Sequence, residues 1–289
     1  MLLEHIFNGL SIGSTYALIA LGYTMVYGTL GFINFAHGDL YMIGAYIGFF
    51  ILSISQLPIV LVLILSMIAT GIIGVIVERI AYRPLRKQPR LLVMISSIGV
   101  SIVLQAIVLL LNGPQTERYK IEEYTIVNIL GVNVSTLNII ILIIAILLML
   151  TLNFIVQKTR IGTAMRCVSE SVETTSLMGI STDFIISITF FIGSSLGCAA
   201  GILTGVVYHA ITPFMGSLAG TKAFVAAIVG GIGSIPGAML GGMLLGFIEY
   251  FTVVLLSSSW RDAVAFLLLI VFLLLRPTGI LGKKTRERV

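Results

Sequence analysis

Few groups in this 289-residue chain could do chemistry, and most sit where charge is costly. Glu249 lies in the middle of an apolar run, Leu244-Leu-Gly-Phe-Ile-Glu-Tyr-Phe-Thr252, where an ionised carboxylate in lipid costs about 3 kcal/mol or more. Such a group marks a permeation path, a proton relay or a polar clamp between helices. A lone carboxylate makes a poor relay, so a clamp to a hydroxyl or amide on a neighbouring span is the first expectation. A second set, Asn34, His37 and Asp39, falls in Ile33-Asn-Phe-Ala-His-Gly-Asp39 at the start of another apolar run. Asp39 there suits the positive end of a helix dipole. The three residues either cap that helix or line an inner vestibule.

Other chemistries find no purchase. The three histidines, His5, His37 and His209, are too scattered for a metal site, and none is expected. There is no nucleophile–base set, Cys-x-x-Cys pair or carboxylate dyad, so the chain is not expected to be an enzyme. A phosphate-binding loop needs G-x-x-x-x-G-K-[ST]; the glycine cluster Gly230–Gly237 has no such lysine, so any ATP is bound by another chain and no cofactor is expected. Cys167 and Cys198 read as free thiols.

What must position these groups is a membrane core. The chain is 58% hydrophobic and 10% charged, against about 25% charged in a soluble domain. Met1 to His5 lacks a cationic leader, so no cleavable signal is expected. Runs near the ~20 residues needed to cross hydrocarbon are Ile6–Leu30, Asn34–Ser53, Pro58–Val77, Leu91–Leu111, Thr136–Val156, Phe184–Tyr208, Ala238–Leu256 and Asp262–Leu275. A weaker one, Leu218–Ile235, carries Lys222 and is either a full crossing or re-entrant. The fold class is therefore all-α and polytopic, about 8–9 transmembrane helices in a single domain over residues 1–289.

Charge orients it. The loop after the third span (Arg79, Arg83, Arg86, Lys87, Arg90), the polar stretch 157–183 (Lys158, Arg160, Arg166) and the tail (Arg276, Lys283, Lys284, Arg286, Arg288) hold thirteen of the seventeen basic residues. Nine crossings put all three on the cytoplasmic face, with the N-terminus outside. The excess of five positive charges thus speaks for loop orientation, not nucleic acid. The outer loop 112–135 opens with Asn112-Gly-Pro114, carries Glu117, Arg118, Lys120, Glu122 and Glu123, and shows a small hairpin pattern over 129–134. Glycines recur every fourth residue at Gly193, Gly197, Gly201 and Gly205, and again at Gly233, Gly237 and Gly241. They serve either static close packing of helices in lipid or helices that slide. Gly230–Gly237, with Pro236, reads as a break between spans.

The most polar interior stretch is Gln157–Asp183. Ile161, Met165, Val168 and Val172 recur at helical spacing, with Arg166, Glu170 and Glu173 on the other side. Gly162 before and Gly179 after bound a short amphipathic helix. It either lies on lipid or presents Met165 and Val168 to a partner's groove.

Five segments together resemble the permeases of high-affinity branched-chain amino acid ABC importers. They are Gly31-Phe-Ile-Asn-Phe-Ala-His-Gly-Asp-Leu-Tyr-Met-Ile-Gly-Ala-Tyr46, Glu78-Arg-Ile-Ala-Tyr-Arg-Pro-Leu-Arg86, Arg160-Ile-Gly-Thr-Ala-Met-Arg166 with Met178-Gly-Ile180, Gly230-Gly-Ile-Gly-Ser-Ile-Pro-Gly-Ala238 and Arg276-Pro-Thr-Gly-Ile-Leu-Gly282. The resemblance spans the chain. It implies the ABC importer permease fold in a bacterial or archaeal cytoplasmic membrane. It also implies two cytoplasmic ATP-binding subunits, a second homologous permease subunit and a periplasmic or lipid-anchored solute-binding protein. Under it, stretch 157–183 is the ATPase-coupling segment, with Arg160, Gly162, Ala164, Met165, Arg166 and Gly179 carried over. The implied function is ATP-driven import of Leu, Ile and Val. Alternatives are urea, short amides or another amino acid on the same architecture, or an ion-coupled transporter acting alone.

Overall fold

The computed structural model describes residues 2–55, 57–86, 88–119, 126–129 and 132–282. Eleven α-helices appear among them: α1 (Leu2–Leu30), α2 (His37–Ile54), α3 (Ile59–Val77), α4 (Arg90–Asn112), α5 (Thr136–Lys158), α6 (Arg160–Glu170), α7 (Val172–Leu177), α8 (Thr182–Tyr208), α9 (Met215–Gly230), α10 (Ile235–Leu255) and α11 (Arg261–Leu275). Among the described residues, eight helices are long and apolar enough to cross a membrane, the third continuing through a π-turn at Glu78–Tyr82 and a 3-10 turn to Leu85, and the last starting in a 3-10 turn at Ser258 that lengthens α11 to 18 residues. The ninth apolar helix, α9, has only 16 residues, about 24 Å of helix, against roughly 30 Å of hydrocarbon.

Helix α9 nevertheless runs from one side of the bundle to the other. At the end of α8, the Tyr208 hydroxyl accepts from Arg261 at the start of α11 at 2.6 Å. The ends of α8 and α10 therefore share a side, and α9 must return between them. Helix α1 runs antiparallel to α10, with Gly13 against Met243, Gly242 against Ala17, and Asn8 donating to the Tyr250 hydroxyl at 3.1 Å. These approaches rest on residues with no side chain to hold the backbones apart.

Helices α1 and α8 form the centre, and α11, with only Ala265 buried, lies at the edge. The four-residue glycine stripe of α8 seats other elements. Gly197 lies against the His37 ring, Gly201 against the Tyr41 carbonyl, and Gly205 against Tyr119. In the second glycine group, Gly237 meets Gly230 and Gly241 meets Ala226, whereas Gly233 is a turn residue at φ 87°. The break between spans is shorter than the glycine content suggests. Helix α10 already begins at Ile235, because proline in a first turn leaves no hydrogen bond unmade.

Outside the bundle, β1 (Ile126–Ile129) pairs antiparallel with β2 (Val132–Ser135), a longer hairpin than the 129–134 pattern implied. Its turn, together with Lys120, Glu122 and Glu123, lies outside the described residues. The preceding strand-like segment pairs Glu117 with Ile211 through two backbone hydrogen bonds, 2.9 and 3.0 Å. Tyr119 is plugged into the bundle and donates to the Ala45 carbonyl at 2.5 Å; burial pushes its phenol well above the usual range. At the opposite end the tail folds back. The Ile280 and Leu281 amides donate to the Val229 and Gly230 carbonyls at 2.9 Å each, satisfying acceptors that the end of α9 would leave open. Lys283, Lys284, Arg286 and Arg288 lie outside the described residues.

Candidate coupling segment and buried polar groups

The amphipathic stretch folds as two helices rather than one. Thr159 caps α6 by accepting from the Gly162 amide at 3.2 Å, and Ser171 interrupts the helix and caps α7 through the Thr174 amide at 3.2 Å. Both are hydroxyl residues of the kind that satisfy open amides at helix starts. Gly162 is thus the third residue of α6 and not a boundary. A Cβ there would run into the Ile155 and Val156 carbonyls, so glycine lets α6 fold sharply back under α5. Gly179, at φ 80°, ends α7 as the spacing implied.

The apolar face of α6 is already occupied. Ala164, Met165 and Val168 are buried within the core, Met165 and Val168 at 4% and 1% exposure. The expectation that a partner grips Met165 and Val168 is therefore replaced. Periodicity shows that a helix has an apolar face, not which neighbour covers it. The predicted face is not wholly covered, since Ile161 and Val172 are exposed; also outward are Arg160 and Cys167 on α6, with Leu177 and Met178 at the tip of α7, 86% and 77% exposed. Arg166 is turned back on its own chain. Its guanidinium donates to the Val156 carbonyl and, at 3.1 Å, to Thr163 Oγ1, bracing α6 against the end of α5.

A buried hub joins the exit of this segment to the turns after α3. Glu78, fully buried, accepts from Arg86 and from Ser187 at 2.8 Å. Arg86 also holds Asp183 at 2.6 Å, and Arg83 pairs with Asp183 from outside. The pattern of this stretch displayed its arginines but not that Glu78 would be their buried anchor. One turn on, the Tyr82 hydroxyl donates to Asn34 Oδ1 at 2.7 Å.

Asn34, His37 and Asp39 are all buried. Asn34 makes a local turn ahead of α2, its Oδ1 accepting from the Ala36 amide at 3.1 Å, and at Ala36, its N-cap position, the helix has no side-chain cap. His37 begins α2 well inside the bundle, its ring against Gly22, eight residues and about 12 Å from the end of α1. The ring meets Tyr23 edge-on, centroids 5.8 Å apart, and approaches the Ile19 backbone. Asp39 does not cap. Its Oδ1 accepts from Gln105 on α4 at 2.9 Å.

Glu249 sits in a larger network than a single clamp. Its Oε2 accepts from the Tyr16 hydroxyl and from Arg261 Nε, each at 2.8 Å. Its Oε1 lies 2.9 Å from Lys222 Nζ in an ion pair without hydrogen-bond alignment. Lys222 also pairs with Asp262 at 2.7 Å. The hydroxyl partner matches the clamp; the two cations do not appear in it. They come from α9 and α11, 27 and 12 positions away, which no local pattern connects. Two anions and two cations meet here, as buried charge in lipid requires.

The family model described as branched-chain amino acid transport system / permease component matches residues 5–273. The chain belongs to this permease family. The permease is 44% identical over 312 aligned residues to the high-affinity branched-chain amino acid transport system permease protein LivH of Salmonella typhimurium, covering 99% of this chain and 97% of the relative. It is 43% identical to LivH of Escherichia coli with the same coverage. Identity to the permease protein BraD of Pseudomonas aeruginosa is 45% over 302 residues, covering 99% and 98%.

Proposed function

We propose that the permease is the membrane-spanning subunit of an ATP-binding-cassette importer that carries leucine, isoleucine and valine into the cytoplasm. Near full-length identity to LivH and BraD, named for that transport, is the observation that carries the reading. ATP is hydrolysed on two cytoplasmic partner subunits, a second homologous permease completes the membrane core, and a periplasmic or lipid-anchored binding protein delivers the cargo. Residues 157–183 receive the ATPases. The outward tip Leu177–Met178 supplies the apolar contact, while Arg166, Gly162 and Ala164 hold α6 so that a push on α7 reaches α5 and α8. With α9 counted as a ninth crossing and α6 inside, the N-terminus lies outside and the tail in the cytoplasm, a reading that the clustering of basic residues supports.

The test is uptake of labelled leucine by proteoliposomes holding the complete complex with ATP inside and loaded binding protein outside. Uptake that needs both, and stops when the ATPase subunits are omitted, is expected. Uphill transport by this chain alone on an ion gradient overturns the reading. Orientation is read separately from native Cys167, which is exposed on α6, whereas Cys198 is buried. An impermeant maleimide should label it in inside-out vesicles and not in right-side-out ones.

A further inference from the structure

One stripe of α2 is not covered by its neighbours. Phe50 is exposed, and Ile43 and Ile47 are partly so, at the three- and four-residue spacing of a single helical face, with exposed Phe35 in the turn just before the helix. Asp39 belongs to the same stripe yet is fully buried, because two flanking helices close over it there. From α4 comes Gln105, bonded to Asp39 Oδ1 at 2.9 Å and within 3.5 Å of Ser101. From α9 comes Gly216, where a Cβ would stand 2.9 Å from Asp39 Oδ1.

The flanks of this stripe are polar for a surface inside a membrane. Ser101 and Gln105 are partly exposed on α4, and Ser217 and Thr221 are exposed on α9. Edge helix α11 is the contrast. After Asp262 it runs Ala263 to Leu275 without a polar residue, as a lipid-facing surface should. Asp39 itself has an unmet need. Ser101 also reaches its carboxylate, yet Oδ2 keeps no well-aligned donor among the described residues, and none of the described cations pairs with it. An intramembrane carboxylate in that condition calls for a cationic visitor.

We propose that Asp39, steadied by Gln105, receives the α-ammonium group of the amino-acid cargo where the α4 and α9 flanks pinch the open stripe of α2. The inference rests on the reading of this chain as an amino-acid importer subunit. A zwitterion passing here exchanges part of its hydration for Asp39 Oδ2, while its aliphatic side chain meets Ile43 and Phe35. The carboxylate thus selects for an amino group and is indifferent to which branched side chain follows.

Two measurements on the complete complex test this. In the first, wild type and Asp39→Asn are compared for leucine uptake. The amide keeps an acceptor for Gln105 and removes the charge. Assembly with partner subunits should persist, uptake should fall tenfold or more, and Asp39→Glu should restore part of it. Absence of leucine uptake in wild type counts against the importer reading; normal uptake in both counts against Asp39 alone. In the second, Ser101→Cys is placed on a Cys167→Ser background and labelled with an impermeant methanethiosulfonate. Leucine should slow labelling, and 4-methylpentanoate, which lacks only the amino group, should not. Equal protection by both compounds, protection that survives Asp39→Asn, or no labelling at all overturns the proposal.

Discussion

The Tyr82 hydroxyl and Asn34 Oδ1, 48 positions apart, are joined by a 2.7 Å hydrogen bond that ties the turns after α3 to the loop entering α2. The same turns hold Asp183, at the exit of the coupling segment, through Arg86. A displacement of α7 and the start of α8 therefore has a hydrogen-bonded route to the loop that sets the position of His37 and Asp39.

Tyr82→Phe should break that route with little other damage. One net hydrogen bond is worth about 1 kcal/mol, and Asn34 Oδ1 keeps the Ala36 amide. Thermal unfolding of the purified complex should shift only slightly, while leucine-dependent ATP hydrolysis falls several-fold. An unchanged rate would show that the bond transmits nothing.

Two substitutions separate partner contact from internal packing. Leu177→Asp alters a side chain 86% exposed, so the chain should fold normally and lose the ATPase subunits on copurification. Met165→Asp puts a charge at a site 4% exposed and should lower the yield of folded membrane protein itself. The reverse pattern would return the docking role to Met165.

For Glu249, the order of damage should be Leu worse than Gln. Glutamine can still accept from Tyr16 and Arg261 but leaves Lys222 to Asp262 alone. Removing one partner of a buried ion pair costs about 3–5 kcal/mol. Glu249→Gln combined with Lys222→Met should therefore recover stability over Glu249→Gln alone, measured by unfolding in detergent. Additive losses would mean the two charges do not interact.

Glycine contacts give a sharp contrast. A Cβ at Gly38 would meet the Gly216 carbonyl oxygen and lie 2.8 Å from the Gly220 Cα, whereas one at Gly99 meets nothing within 4 Å. Gly38→Ala should destabilise by about 1–3 kcal/mol, the range for forcing matter into a packed seam. Gly99→Ala should be neutral in the same thermal assay.

Much of this architecture is legible in the sequence because lipid leaves few options. Apolar run length fixes the spans, and charge breaks them at Gln157–Asp183. What periodicity cannot supply is the neighbour. Met165 reads as a ready contact and is spent on the core; Gly162 reads as a turn and is a close approach. Glu249 reads as solitary because Lys222 and Arg261 come to it from other helices. Helix α2 starts at His37 and not Asn34 because Asn34 turns its side chain onto the Ala36 amide, a choice made by local geometry.

The back-folded tail has a consequence for biosynthesis. Ile280 and Leu281 close the open carbonyls of α9, an apolar helix of only 16 residues. Those two residues leave the ribosome roughly fifty codons after α9 does. The weakest passage through the bilayer is thus completed late in translation, and premature stop codons just upstream of residue 280 should yield chains that degrade rather than merely lack a few residues.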